Sequence, residues 1–433
     1  MVLQRSENWL WLLAFAAIVG YQTFLPPIVG MADNNDFAKI SGRVPLCSED
    51  RAVDVRGAFI AKRWIVDEAC RWESGIPSLE LWLARASVLG RKYDIRQIGF
   101  VHSIIFLLCA AGFLWLHPPR AIKLTALFLF TDVTYVAMFN SFYTDTAALL
   151  FLLASLVTFI WADRTRRPLW IALYILSGLC LVAAKSQHCW LAIPLIAALF
   201  RVTRWAIAVP ASLALAGAAV FMFISTPPDY AAQALWNVIF PSILKTTPTP
   251  KADLHELGLD DSFIQFIGKD TYRFDTLDDA RYWRGKMLRQ TNFGSVFRYF
   301  ARRPATLIQR IARTAWESSE TRPRFLGDFE RGEGFAPGQQ SRAFCYWSDF
   351  KLWLGGFHPA WAAIILIGLA AHSAYNRSPA SILLLLGLGV ITLACVTEGI
   401  DNSRHCWLGQ AFVDLFVISY FASVYRRDSI SQS

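Results

Sequence analysis

Long apolar stretches alternate with short polar connections along most of the chain. Ten of them approach the length needed to cross a hydrocarbon core about 30 Å thick. They lie near 9–30, 98–116, 120–139, 145–162, 168–185, 188–200, 205–226, 357–373, 379–398 and 406–425. The pattern therefore predicts an all-α polytopic membrane protein with about ten transmembrane helices.

The composition agrees with this class. Of 433 residues, 55% are hydrophobic and 17% are charged, against roughly 25% charged in soluble domains. A soluble globular enzyme is therefore excluded. The net charge of +9 does not indicate a nucleic-acid partner, because many Lys and Arg lie in short turns between apolar stretches.

The basic residues also predict an orientation, because cytoplasmic connections are enriched in Lys and Arg. With the amino terminus inside and the first stretch retained as a span, the inner connections hold Arg5, Arg120, Lys123, Arg164, Arg166, Arg167, Arg201, Arg204, Arg377, Arg426 and Arg427. The three short outer turns hold only Lys185 and Arg404.

Two connections, 31–97 and 227–356, are too long to be turns, and this orientation places both outside. The predicted domains are therefore a seven-span module at 1–226 that includes the first loop, an outer loop domain at 227–356, and a three-span module at 357–433. Amphipathic stretches in the first loop indicate helices on the membrane face.

The clearest element of the second loop is an amphipathic helix predicted at 293–316. Its apolar positions recur at helical spacing, and five arginines occupy other positions. This pattern is typical of a basic helix lying in the membrane interface. The alternative is a helix packed against the core of its own loop.

Cysteines and nucleotide motifs limit the chemistry further. No phosphate-binding loop or dinucleotide fingerprint occurs in the sequence, so nothing indicates ATP or dinucleotide binding. The eight cysteines include no Cys-x-x-Cys pair. Cys47 and Cys70 share the first outer loop and are candidates for a disulfide bond in an oxidising compartment.

Acids and bases collect at the outer ends of the predicted spans. The candidates are Asp33, Asp36, Asp132, Asp145, Lys185, His188, Glu398, Asp401, Arg404 and His405. Charges beside or within spans usually mark a polar cavity. The alternative is that outer turns are polar in any membrane protein.

These candidates suggest three roles. Asp33, Asp36 and Asp145 are candidate catalytic residues, because a carboxylate can accept a proton from an attacking hydroxyl. Lys185, His188, Arg404 and His405 are candidate phosphate ligands, since fixed cations stabilise a departing phosphate; Lys185 could instead reach lipid head groups. Asp132, Glu398 and Asp401 are expected to line the cavity, whereas Asp414 is expected to be a packing partner.

Three short motifs carry a family resemblance: Asp-Asn-Asn-Asp-Phe at 33–37, Thr-Pro-Thr-Pro-Lys-Ala-Asp-Leu at 247–254, and Arg-Arg-Pro at 302–304. Together with the order of loops and spans, they resemble the GT-C class of membrane glycosyltransferases, and within it the bacterial WsfD-like glycan hexosyltransferases. The resemblance implies a GT-C-like fold in a bacterial inner membrane.

The resemblance also implies an activity. It is the inverting transfer of a sugar from a polyprenyl-phosphate donor to a hydroxyl of a glycan or lipid acceptor, at the extracytoplasmic face and among membrane lipids. Metal-dependent members have a tight acid-x-acid pair, whereas this chain has Asp-Asn-Asn-Asp at 33–36 and a single Asp145, so no cofactor and no metal ligand are expected, with a divalent metal as the alternative. The alternative functions are a lipid or glycan transporter and a non-catalytic glycan-assembly partner.

Overall fold

The structure is a computed structural model that describes residues 2–49, 57–71, 77–356, 367–368, 370–372, 375 and 380–431. Within these residues the α-helices are α1 Val2–Phe24, α2 Ala38–Ser41, α3 Leu79–Ser87, α4 Arg96–Leu114, α5 Arg120–Phe130, α6 Val133–Val136, α7 Thr144–Thr165, α8 Pro168–Ala184, α9 Ala192–Val202, α10 Trp205–Ile224, α11 Pro228–Asn237, α12 Pro250–Glu256, α13 Leu277–Gln290, α14 Phe293–Arg302, α15 Pro304–Glu317, α16 Tyr346–Gly356, α17 Ala380–Thr397, α18 Asn402–His405 and α19 Trp407–Ser431. Short 3-10 helices span Glu68–Cys70, Ala137–Asn140, Ser186–Leu191 and Asp261–Phe266, and a π-helix spans Val238–Leu244.

Helices dominate, as predicted, but the prediction of ten spans is not confirmed. Among the described residues, α4, α7, α10 and α17 are long and apolar enough to cross a membrane. The helix pair Arg120–Phe130 and Val133–Asn140, bent by 52°, makes a fifth candidate if it counts as one span. Three further apolar helices are shorter, and most of the predicted span 357–373 lies outside the described residues.

The chain forms two compact units, each with its own core. The first comprises Met1–Ser225, Arg324–Phe350 and Val417–Ser433, and the second comprises Thr226–Pro323 and Lys351–Phe416. In the first unit, α1 packs on α4, α4 on α7, α7 on α8, and both α8 and α9 on α10. Apolar residues that these contacts leave uncovered, such as Leu213 and Phe223 on α10, are exposed, as expected of membrane helices that are apolar all round.

The connection 31–97, predicted to be the first outer loop, adds a small antiparallel sheet to this unit. Its strands are β1 Leu46–Ser48, β2 Arg63–Val66 and β3 Lys92–Asp94, with β2 in the centre. A disulfide bond joins Cys47 on β1 to Cys70. The sequence left this bond open, and the structure forms it.

The end of the second outer loop belongs to the first unit. The Ala32 amide donates to the Gly327 carbonyl at 3.0 Å, and the Gly327 amide donates to the Gly57 carbonyl at 2.7 Å. A Cβ atom at Gly327 would lie 2.1 Å from the carbonyl oxygen of Ala58, so only glycine fits this approach. Backbone hydrogen bonds thus bring the segment 324–350 against the acidic loop that follows α1.

In the second unit, α14 and α15 replace the single helix predicted at 293–316. The break follows from Pro304, which lacks the amide needed to continue the helix and disfavours helical geometry at Arg303. The buried face of α14 joins the aromatic core of its own unit through Val296, Tyr299 and Phe300. The alternative of a helix packed against the core of its own loop therefore describes α14. In contrast, α15 leaves residues such as Ile308 exposed.

Candidate functional site

The acidic loop after α1 is held by its own carboxylates. Asp33 is partly buried, and its Oδ1 accepts the Phe37 amide at 3.0 Å, which fixes the turn leading into α2. Asp36 pairs with Lys39 one helical turn later. One contact of each predicted base is therefore known: Asp33 fixes the turn before α2, and Asp36 pairs with a lysine.

Tyr143 connects this loop to the start of α7. Its hydroxyl donates to the Ala32 carbonyl at 2.7 Å and accepts the Asn34 amide at 3.1 Å. Its ring packs against Phe37 with the ring centres 4.9 Å apart. Because Asp145 lies two residues further along, the structure brings the first and second predicted acidic turns together.

Asp145 and Lys185 form a buried ion pair. Lys185 Nζ donates to Asp145 Oδ1 at 2.9 Å, and the two side chains are 9% and 1% exposed. The sequence predicted catalysis for Asp145 and phosphate binding for Lys185, but in the fold the two side chains bind each other. A buried charge of either sign would be costly without its partner.

His188 lies beside this ion pair and is fully buried. Its Nε2 is 3.9 Å from Asp145 Oδ1, too far for a hydrogen bond. Within the described part of the chain, neither ring nitrogen of His188 has a hydrogen-bond partner. Lys185 bonds Asp145 with one of its three N–H donors. Lys185 and His188 thus both lie near Asp145 Oδ1 and keep hydrogen-bonding capacity that this carboxylate does not use.

A second buried acid–base pair in this unit was missed by sequence reasoning. His102 on α4 and Glu80 on α3 are both fully buried, with 3.1 Å between His102 Nε2 and Glu80 Oε1. His102 Nδ1 lies 2.8 Å from the Phe139 carbonyl, which can only accept, so this nitrogen carries a hydrogen. The Nε2 side of the ring therefore faces the Glu80 carboxyl group. The available signal was a histidine inside a predicted span.

Four of the five remaining cavity and phosphate candidates cluster in the second unit. Arg404 Nε donates to Asp401 Oδ2 at 2.8 Å, and Arg404 Nη2 lies 3.4 Å from His405 Nε2. His405 Nε2 is also 3.7 Å from Glu398 Oε2. Glu398, Arg404 and His405 are each at least nine-tenths buried. The sequence-predicted set is therefore divided into two polar clusters, one in each compact unit.

Two acids in predicted spans have structural partners. Asp132 was expected to line the cavity, but it is buried and accepts the backbone amides of Thr134, Trp347 and Ser348, each at 2.9 Å. It therefore caps the starts of both α6 and α16. Asp414 bonds Lys351 at 2.7 Å, and both side chains are buried. The expected packing role of Asp414 agrees with this contact.

The two later motifs of the resemblance meet in the second unit. Arg303 on the break between α14 and α15 pairs with Asp253 and Glu256 of α12. Tyr299 donates to Asp253 Oδ2 at 3.2 Å, and burial followed by the nearby Asp253 charge raises the pKa of the Tyr299 hydroxyl. This cluster fastens α12 to α14.

An exposed group of charges lies at the start of the same region. His255 and Lys251 both reach Asp261, at 2.7 Å and 3.2 Å. The hydrogen bonds from His255 and then Lys251 lower the pKa of Asp261. Within the residues that the structure describes, no group of three or more His, Cys, Asp or Glu side chains is arranged to hold a metal ion.

Comparison with known proteins gives one match. The family described as the YfdI N-terminal transmembrane domain matches residues 2–433. No curated protein and no solved structure matches the chain, so the WsfD-like resemblance stays a prediction. The match and the apolar helices together make this an integral membrane protein. The chain belongs to the YfdI N-terminal transmembrane domain family.

Proposed function

We propose that this protein transfers a sugar from a polyprenyl-phosphate donor to a hydroxyl of a glycan or lipid, at the outer face of a bacterial plasma membrane. The observation that carries the proposal is the buried Lys185 beside His188. The lysine has N–H donors beyond the one it gives Asp145, and neither histidine nitrogen is hydrogen-bonded within the described residues.

Such donors suit a phosphate. An ammonium and an imidazole N–H can contact separate phosphate oxygens and stabilise the charge that grows as the phosphate leaves. Asp145 holds the lysine in place and keeps its charge compensated before the donor arrives. Arg404 and His405, which lie together in the second unit, stay separately proposed as phosphate ligands.

Asp33 is the proposed general base. In the transfer, the acceptor oxygen forms a bond to the anomeric carbon while the bond from that carbon to the phosphate oxygen breaks. The acceptor proton passes to the Asp33 carboxylate, and the electron pair of the broken bond leaves with the phosphate. Attack opposite the leaving group inverts the anomeric centre, and such proton transfer contributes about 10²–10⁴-fold to the rate.

The disulfide and the family support the setting of this reaction. A bond between Cys47 and Cys70 suits an oxidising compartment, which agrees with an outer location for the first loop. Membership of a transmembrane-domain family supports a lipid-linked substrate. The absence of a close acid pair in the acidic loop supports a metal-independent base.

The test compares wild type, Asp33→Asn and Asp36→Asn in lipid nanodiscs. Each is given a panel of polyprenyl-phosphate sugars, and donor binding and sugar loss are followed by mass spectrometry. We expect Asp33→Asn to bind donor and lose turnover, because asparagine can still accept the Phe37 amide and keep the turn. Asp36→Asn, which loses an ion pair with Lys39, is the matched control and should keep turnover.

Three outcomes would each contradict the proposal or a part of it. Full turnover by Asp33→Asn would remove this residue as the base. Binding of lipid-linked glycan by wild type without consumption of any donor would favour a transporter or an assembly partner. An unchanged donor affinity in Arg404→Ala would remove that arginine from phosphate binding without affecting the rest.

A further inference from the structure

The hydroxyl of Tyr143 bridges the two peptide groups on either side of Asp33. It donates to the carbonyl of the preceding residue at 2.7 Å and accepts the amide of the following residue, Asn34, at 3.1 Å. Tyr143 itself is 1% exposed, and its ring is fixed against Phe37. One buried side chain therefore constrains the backbone torsions that aim the Asp33 carboxylate.

The opposite edge of the loop is fixed as well. The Ala32 amide donates to the Gly327 carbonyl at 3.0 Å, so the peptide groups before Asp33 are held from two sides. Residues 144 and 145 follow Tyr143 directly and begin α7, where Asp145 holds Lys185. The Tyr143 backbone thus links the position of the acidic loop to that of the buried ion pair.

We propose that Tyr143 is a positioning residue that sets the Asp33 carboxylate relative to Lys185, the proposed phosphate ligand that Asp145 holds. This inference rests on the proposed sugar transfer. Reacting groups must be held within a fraction of an ångström, and a displacement of about 1 Å can cost about 10²-fold in rate. Loss of the two hydrogen bonds loosens the peptide groups on either side of Asp33, while the aromatic packing and the other contacts of the loop stay.

Tyr143→Phe is the corresponding variant, because it removes the hydroxyl and keeps the ring. Tyr174→Phe is the matched control. The Tyr174 hydroxyl also donates to a backbone carbonyl, that of Leu195, at 2.9 Å, and its side chain is 3% exposed. Tyr174 lies on α8, and its hydroxyl bonds Leu195 rather than a residue of the acidic loop. Both variants therefore lose one buried tyrosine hydroxyl.

Two readouts are measured on each protein in nanodiscs. The first is steady-state sugar transfer, where Tyr143→Phe should lower kcat by about 10- to 100-fold with the donor KM nearly unchanged, and Tyr174→Phe should leave both constants near wild type. The second is hydrogen–deuterium exchange of peptides covering 30–40, where Tyr143→Phe should raise exchange at the Asn34 amide and Tyr174→Phe should not.

Each adverse result has a separate meaning. A Tyr143→Phe enzyme with wild-type kcat, or with a raised donor KM and unchanged kcat, overturns the positioning role while the sugar transfer stands. If wild type transfers no sugar, the proposed function fails and the exchange experiment decides what remains. Unchanged exchange at Asn34 then overturns the inference, and raised exchange supports Tyr143 as the residue that fixes this loop.

Discussion

The buried ion pair Asp145–Lys185 gives the sharpest energetic prediction. Its atoms are 2.9 Å apart, and at an effective dielectric constant near 20 two unit charges at this distance attract by about 6 kcal/mol. Desolvation of both groups offsets much of this attraction. Removal of one partner leaves the other charge buried without compensation and costs about 3–5 kcal/mol, whereas removal of both is often nearly neutral.

The perturbations are Asp145→Asn, Lys185→Met and the double variant, each assayed by unfolding in detergent and by sugar transfer. We expect each single variant to lose about 3–5 kcal/mol and the double variant to recover most of it. Transfer should stay lost in all three, because the double variant folds but has no lysine donors for the phosphate. Recovery of turnover in the double variant would refute the phosphate role and leave a structural pair.

The pair Lys351–Asp414 is a matched control in the second unit. Its atoms are 2.7 Å apart, and the side chains are 7% and 0% exposed, close to the burial of the first pair. The corresponding variants Lys351→Met and Asp414→Asn should be destabilised singly and recover together. The double variant of Lys351 and Asp414 should regain sugar transfer as it regains stability, whereas the double variant of Asp145 and Lys185 should not.

Three further predictions concern the loops. Cys47→Ser with Cys70→Ser should lower the free energy of unfolding by about 3 kcal/mol, the cost of releasing a closed loop of about 23 residues; reductant should lower wild type to the same value and leave the variant unchanged. Asp261, whose hydrogen bonds lower its pKa, stabilises the fold above its unfolded pKa near 4, and that stability is lost as the pH falls through the lower folded value. Asp261→Asn should therefore flatten the fall in melting temperature measured between about pH 5 and pH 2. A photo-crosslinking residue placed at Ile308, which is 66% exposed on α15, should form adducts with lipid, and one placed at Leu385 on α17 serves as the positive control. Adducts with protein alone at Ile308 would contradict an interfacial α15.

The sequence located the acidic loop and the polar turns but could not assign their partners. Asp145 and Lys185 lie in separate turns of the predicted topology, and their common depth was visible from the order of spans. Their direct bond was not, because it depends on the packing of α7 against α8. Glu80 and His102 were missed for the same reason, since their contact joins two helices far apart in sequence.

The number of spans was harder to predict than their existence. Hydropathy treats residues 120–139 as one continuous stretch, but Asp132 caps a new helix there and the pair bends by 52°. A carboxylate that accepts three backbone amides competes with the helix it interrupts. Two of those amides lie more than two hundred residues away in α16, and no local pattern can supply that information.

Their different contacts give Asp145 and Asp33 different roles in the proposed mechanism. Asp145 pairs directly with the buried Lys185, so the fold uses this carboxylate as a counter-charge. Asp33 accepts the Phe37 amide, a bond that a neutral carboxyl oxygen can also accept. The proposed mechanism therefore assigns proton uptake to Asp33, because the bond that fixes its turn is compatible with either form of the carboxyl group. That difference, rather than proximity in the sequence, is why the proposed mechanism puts the base in the loop and the phosphate contacts at the helix ends.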